Sequence, residues 1–143
     1  MSNYMTKYPR VSDLEKQAIK RLPPFVGAYL FSGTGQNQAR DDSVNDYNKV
    51  RLMPRQLRGR VPTDLSTDFL GTRFSVPFSV APVGLSSLIW PGSEMALAKA
   101  ASASGYGYGL STVAGASIEQ IGPVAGDKGF FQLYAPIDKA IAK

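Results

Sequence analysis

The sequence contains no histidine and no cysteine. Without cysteine it has no disulfide, no thiolate nucleophile and no thiolate-ligated metal. Without histidine, neither a Ser-His-Asp nor a Cys-His constellation can be assembled from it, nor the usual zinc sites. A general base drawn from this chain is therefore Asp, Glu, Lys or Tyr. No apolar run approaches the ~18 residues that span a bilayer. Met1 to Arg10 is too polar to hold the apolar stretch of a signal peptide, so a cytoplasmic location is the expectation, with peripheral attachment to a membrane left open. Charge is scarce in the second half: between 74 and 134 only Glu94, Lys99, Glu119, Asp127 and Lys128 carry it. The whole chain has 143 residues, 16 basic and 11 acidic side chains and 43% hydrophobic content. That composition fits one ordinary globular domain whose core forms mainly after residue 74.

Ser12-Asp13-Leu14-Glu15 fits a capping box at a helix start. Leu14, Ala18 and Leu22 then share a helical face until Pro23-Pro24, and Pro24 can open the next helix at its first position. Phe25, Val26, Tyr29 and Leu30 would form the apolar face of that second helix, which breaks at Ser32 to Gly35. The plain reading of Tyr29 is a core or boundary aromatic. Asn37 to Val50 is polar and helical in part. Residues 49 to 60 hold five basic side chains and no acidic one. Alternating Val50, Leu52 and Leu57 favour a partly buried extended segment with solvated arginines over a nucleic-acid surface, since no interleaved aromatics offer base stacking.

Asp64 to Arg73, with its Gly71 turn, predicts a short hairpin acting as a lid or plug. Phe74 to Leu85 is nearly uncharged and predicts a buried strand ending in a rigid Pro82-Val83-Gly84 turn. Ser93 can cap the following helix, with Glu94 in the first turn where the dipole favours an anion. The alanines from 96 to 103 give that helix a small-residue surface, and Gly105 terminates it. A second strand ends at Leu110-Ser111-Thr112. Ser117 to Gln120 is another capping box, opening a short helix that stops at Gly122-Pro123, and Phe130 to Tyr134 is a third strand. Neither Gly33 to Gln38 nor Gly105 to Leu110 completes a dinucleotide fingerprint, and the second runs from helix into strand, the reverse of that motif. Apolar strands alternating with helices argue for a parallel sheet with right-handed crossovers.

Ligands of such folds sit at the carboxyl ends of the strands. Those positions are Ala81 to Leu85, Ser111-Thr112 and Gln132 to Tyr134. Pro82 and Gly84 let backbone approach a flat ligand, while Ser111 and Gln132 can bond its polar edge. A planar heterocycle suits this inventory, although Ser and Gln at strand ends are also ordinary turn and packing residues.

The order of Leu22-Pro23-Pro24, Tyr29 before Ser32-Gly33, Pro54-Arg55, Ala81-Pro82-Val83-Gly84, Ala100 to Ala103, Leu110-Ser111-Thr112, Ser117-Ile118-Glu119 and Phe131 to Tyr134 resembles the amino-terminal part of the FMN-dependent 2-hydroxy-acid oxidases and dehydrogenases. Glycolate oxidase, L-lactate dehydrogenase and mandelate dehydrogenase belong to that family. The resemblance runs from about residue 12 to the end and implies an α/β fold: the opening of a TIM (β/α)8 barrel, about three strands preceded by a helical extension. It implies residues 1–73 as extension and hairpin and 74–143 as the first three β/α units. It implies FMN as cofactor, with Pro82, Val83 and Gly84 lying against the flavin and Ser111 and Gln132 bonding its pyrimidine. It implies a small L-2-hydroxy acid as substrate, its carboxylate bound by Tyr29 and its hydroxyl near Tyr134. Some members carry threonine at the position of Val83 and a bulky aromatic at that of Val113.

The sequence departs from the family pattern in its extent. A TIM barrel needs eight strands and about 250 residues, with phosphate loops after strands 7 and 8. The family's catalytic histidine, its flavin-contacting lysine, its carboxylate-clamping arginine and its phosphate site have no counterpart here. The expectation is a fragment of a lactate-type oxidoreductase, cut short and inactive alone. The alternative is a non-catalytic half-barrel that self-associates through its open edge or pairs with a separate carboxyl-terminal chain.

Overall fold

The computed structural model describes residues 4–57, 59 and 63–137. The chain divides into two compact units, Met1–Gly59 and Arg60–Lys143.

The first unit is helical: α1 (Tyr4–Lys7), α2 (Val11–Arg21), α3 (Pro24–Phe31) and α4 (Gln38–Tyr47). Helix α2 starts two residues earlier than the Ser12–Glu15 box predicts. Arg10 is the cap residue, and its N–H donates to Asp13 Oδ2 at 3.2 Å while the Asp13 N–H donates to the Arg10 carbonyl at 3.0 Å. The Arg10 guanidinium also grips Asp13 at 3.0 Å, an advantage the serine register lacks. Pro24 does occupy the first turn of α3, where its missing N–H costs nothing. Of that helix's apolar side chains only Val26 is buried; Phe25, Tyr29 and Leu30 are exposed, so the expected apolar face is covered at one position. Helix α4 follows Asn37, which adopts a left-handed backbone with φ 65° and accepts the Gly33 N–H on Oδ1 at 2.6 Å. Residues 51–56 form no regular element. Val50, Leu52 and Leu57 are 70%, 93% and 105% exposed, which overturns the partly buried segment: alternation buries a face only where a neighbouring strand or layer covers it. Arg58 and Arg60 lie outside the described residues.

The second unit opens with the expected hairpin, β1 (Thr67–Phe69) and β2 (Thr72–Phe74), joined through Leu70 and Gly71 at φ 50° and 80°. Its Phe69 and Phe74 rings lie 6.4 Å apart, centroid to centroid, and each stands 6.0 Å from the Phe130 ring. An open cavity of about 310 Å³ lies beside this aromatic cluster, lined by Phe74, Pro77, Phe78 and Phe130 among others. The strand read from Phe74 to Leu85 is shorter than its composition suggests. Phe74 closes the hairpin, and only β3 (Ser79–Val80) pairs with the sheet, because Pro77 and Pro82 on either side have no N–H to donate.

A three-stranded parallel sheet follows in the order β3, β4 (Gly107–Ser111), β5 (Gly129–Gln132). Every residue of β4 is buried. Gly107 and Gly109 account for the glycine-rich run better than any phosphate loop. A Cβ on Gly107 would stand 2.8 Å from the Ser79 side chain, and one on Gly109 would stand 2.8 Å from the Pro82 ring. Tyr108 and Leu110 point the other way, into a core with Ala98 and Ala101 of α6 (Ser93–Ser104) and Ile121 and Ala125 of α7 (Ile118–Ala125). The alanines let α6 lie close on the sheet, as their spacing suggests. Gly105 ends α6 at φ 72° as expected. Ser93 does not cap α6; Gly92, at φ 74°, takes that place and Ser93 is the first helical residue. A short helix α5 (Ser86–Ile89) precedes it. The Ser117 box forms, with the Ser117 N–H donating to Gln120 Oε1 at 2.9 Å and the Gln120 N–H to Ser117 Oγ at 3.4 Å. Helix α7 then runs through Pro123 to Ala125 rather than stopping at Gly122. Proline there removes one rung of the helix, while the Gly126 N–H still closes on the Gly122 carbonyl.

Candidate functional site

The carboxyl ends of β3, β4 and β5 place three short segments side by side. Ala81, Pro82 and Val83 follow β3 as exposed coil. They are held from below by the contact of Pro82 with Gly109 on the central strand. The turn ends at Leu85, which has φ 52° and donates its N–H to the Val113 carbonyl at 3.1 Å.

Ser111 is the last residue of β4 and is 2% exposed. Its Oγ donates to Gln132 Oε1 at 3.1 Å and accepts the Val113 N–H at 3.3 Å. Gln132 ends β5, exposed, and its Nε2 keeps two donor hydrogens without a partner among the described residues. Thr112, named with Ser111 at this strand end but given no role from the sequence, completes the group. Its Oγ1 donates to the Gln132 carbonyl and accepts the Tyr134 N–H at 3.0 Å, which fixes the chain where β5 ends. The Tyr134 side chain is 56% exposed. Pro82, Val83, Gly84, Ser111, Gln132 and Tyr134 are thus gathered at one edge of one unit. Tyr29 belongs to the other unit, near the end of α3, and its side chain is 48% exposed.

Glu94, in the first turn of α6, is 1% exposed, although the sequence suggests only a favourable helix-end anion. Its Oε1 accepts the N–H groups of Ser87 at 3.1 Å and Gly115 at 3.0 Å, and its Oε2 accepts the Ser87 hydroxyl. Burial alone would raise the pKa of this carboxyl. The hydrogen bonds from Ser87, from its own backbone, from Gly115 and from Ser86 outweigh burial and bring it down to about 2. Burial, with the Glu94 charge second, pushes the Tyr108 phenol up.

The donor set at this edge suits a heterocycle edge that alternates carbonyl and N–H groups. The Gln132 amide can donate to a carbonyl, and the Ser111–Gln132 pair can exchange donor and acceptor roles. The family model for FMN-dependent dehydrogenases matches residues 18–143. The chain belongs to that family. Human 2-hydroxyacid oxidase 2 is 34% identical over 135 residues, covering 93% of this chain and 38% of its own length. An L-lactate dehydrogenase of Ectopseudomonas mendocina is 33% identical over 132 residues, covering 92% and 35%. The crystal structure of a mandelate oxidase superposes with a TM-score of 0.85 at 32% identity, covering 94% of this chain and 40% of that one. A soluble mutant of the membrane-associated (S)-mandelate dehydrogenase of Pseudomonas putida gives 0.82 at 34% identity, covering 92% and 38%. This chain therefore spans about two fifths of the FMN-dependent dehydrogenases it matches. The fold is the amino-terminal part of a TIM barrel, with three parallel strands and no closed barrel among the described residues. No helix among them is long and apolar enough to cross a membrane.

Proposed function

We propose that this chain supplies one wall of an FMN-dependent site that oxidises a small, lactate-like L-2-hydroxy acid to the 2-oxo acid. Residues 74–143 serve as the first three β/α units and residues 1–73 as the extension before them. The observation that carries this reading is the hydrogen-bonded pair Ser111–Gln132 at adjacent strand ends, beside the exposed Ala81–Val83 turn, in a member of this family.

FMN, when bound, supplies the two-electron acceptor. Pro82, Val83 and Gly84 present backbone and small side chains to the flat face of the ring. Ser111 and Gln132 hold its pyrimidine edge, with the Gln132 amide hydrogens as donors. Tyr134 offers a phenol O–H to the substrate hydroxyl. The sequence has no imidazole to take the substrate's proton. Its residues therefore bind and orient, and the chain by itself turns over no hydroxy acid.

Titrating FMN into the purified chain while following flavin fluorescence tests the binding half. Weak, saturable binding is expected. Ser111→Ala and Gln132→Ala should each weaken it by about fivefold to tenfold, as the loss of one hydrogen bond does. Unchanged affinity in both variants would remove the pair from the site. Oxidation of L-lactate by the chain with added FMN would contradict the non-catalytic half.

A second reading has its own observation. Strand β5 has no neighbour beyond β4 among the described residues, and Phe131, Leu133 and Tyr134 along its continuation are 43%, 67% and 56% exposed. Such an edge favours association with a second copy or with a separate chain carrying the rest of a barrel.

A further inference from the structure

Helix α5, into which the turn after β3 leads, and the loop that follows β4 meet at a single buried side chain. Glu94 stands at the start of α6 and receives one backbone N–H from each: Ser87 from the β3 side and Gly115 from the β4 side, both on Oε1. Its Oε2 accepts the Ser87 hydroxyl and, at 3.4 Å, that of Ser93. The two segments are in close contact there: a Cβ on Gly115 would stand 2.7 Å from the Ser87 Cβ. A few residues away the same segments are joined again, by the Leu85 N–H to the Val113 carbonyl at 3.1 Å. Leu85 holds a left-handed backbone conformation, uncommon for a branched side chain and sustained only where surrounding bonds impose it. Glu94 is thus placed to impose the shape of the turn at Pro82, Val83 and Gly84, although it touches none of them in any hydrogen bond given above.

We propose that Glu94 is a positioning residue that clamps the loop after β4 to helix α5, and through it presets the backbone of residues 82–84 that leads into that helix and faces the flavin. The clamp rests on the FMN reading only in what the turn faces; the clamp itself is a property of the chain alone. One oxygen carries both loop-bridging N–H groups, so an amide oxygen can replace it. Acceptor capacity, rather than negative charge or side-chain volume, is what the clamp requires.

Amide hydrogen exchange, read by NMR on the labelled chain without FMN, separates these possibilities. In Glu94→Met, which keeps volume and removes both acceptors, the Ser87, Gly115 and Leu85 amides should exchange about tenfold faster or more, as expected for loss of bonds to a charged acceptor. The Ala101 and Leu110 amides in α6 and β4 should be unchanged. Glu94→Gln should restore most of the protection at Ser87 and Gly115. Equal acceleration at loop and core amides would show a general stabilising role and overturn the proposal, as would unchanged loop protection in Glu94→Met. Gly115→Ala gives an independent route if the methionine variant does not fold. Its new Cβ wedges the two segments apart with Glu94 intact, and the same loop-restricted acceleration is expected. A second arm measures FMN affinity: Glu94→Met should weaken it about tenfold and Glu94→Gln by less than threefold. Affinity equal to the parent chain in Glu94→Met would leave a clamp that does not serve the flavin-facing turn. Should the parent chain show no FMN binding at all, the functional reading fails while the exchange data still decide the clamp.

Discussion

Glu94 ties its own ionisation to the stability of the fold. Its carboxyl titrates near 2 in the folded chain against 4.5 when unperturbed. The folded state therefore binds its proton more weakly than the unfolded state does. The contribution is fully present above pH 4.5 and is lost as pH falls toward 2, with a ceiling of roughly 3 kcal/mol. Urea unfolding between pH 6 and pH 3 should show this decline, and Glu94→Gln should flatten it; an equal decline in both would assign it to other carboxylates. Asp13, Asp64 and Glu119 are lowered as well, chiefly by side-chain hydrogen bonds from Arg10, Ser66 and Ser117, but Asp64 and Glu119 are exposed and Asp13 is half-buried beside an exposed guanidinium, so they should move the curve less. Gly109 is constrained by a neighbour. Its Cβ would collide with the Pro82 ring, so Gly109→Ala should cost about 1–3 kcal/mol in chemical denaturation and disturb the turn above it. A loss below a few tenths would mean that Pro82 yields freely.

Among the elements, α7 owes its start to the Ser117–Gln120 box, so Ser117→Ala should cost about 1 kcal/mol, read as a lowered melting temperature. No change would mean that packing of Ile121 and Ala125 alone holds the helix. That box was legible because both partners lie three residues apart and nothing nearby competes. At α2 the same pattern failed, since Arg10 and Asp13 have the same spacing and add a guanidinium–carboxylate bond that the Ser12–Glu15 register cannot match. Strand length was less legible than strand identity. Hydrophobicity ran from Phe74 to Leu85, but prolines 77 and 82 limit pairing to Ser79 and Val80, and ladder donors are not visible in an apolar pattern. The glycines of β4 were visible as glycines, yet their reason lies in Ser79, Pro82 and Phe130, contacts separated by more than 20 residues. The meeting of Ser111 with Gln132 was legible, because both were read at the ends of neighbouring parallel strands, where α/β sheets bind ligands. The contacts of Thr112 and of Glu94 were not, since their partners come from other segments of the chain.

For the whole molecule, the parallel sheet and its helices follow from the alternation of strand and helix signals, and membership of the FMN-dependent dehydrogenases follows from the order of short motifs. The extent of the match is two fifths of the relatives, so the described unit holds three strands of a barrel and leaves the β5 edge open. Concentration-dependent association is the expected result of light scattering on the purified chain, and a charged residue at exposed Phe131 should reduce it. A monomer at all concentrations would contradict the open edge. The central claim is that the flavin lies across the carboxyl ends of these three strands. NMR titration of FMN into the labelled chain tests it most directly. The account predicts shifts confined to the amides of residues 83–85, 111–113 and 132–134. Shifts confined to the aromatic cavity around Phe74 and Phe130, or none at millimolar FMN, would contradict it.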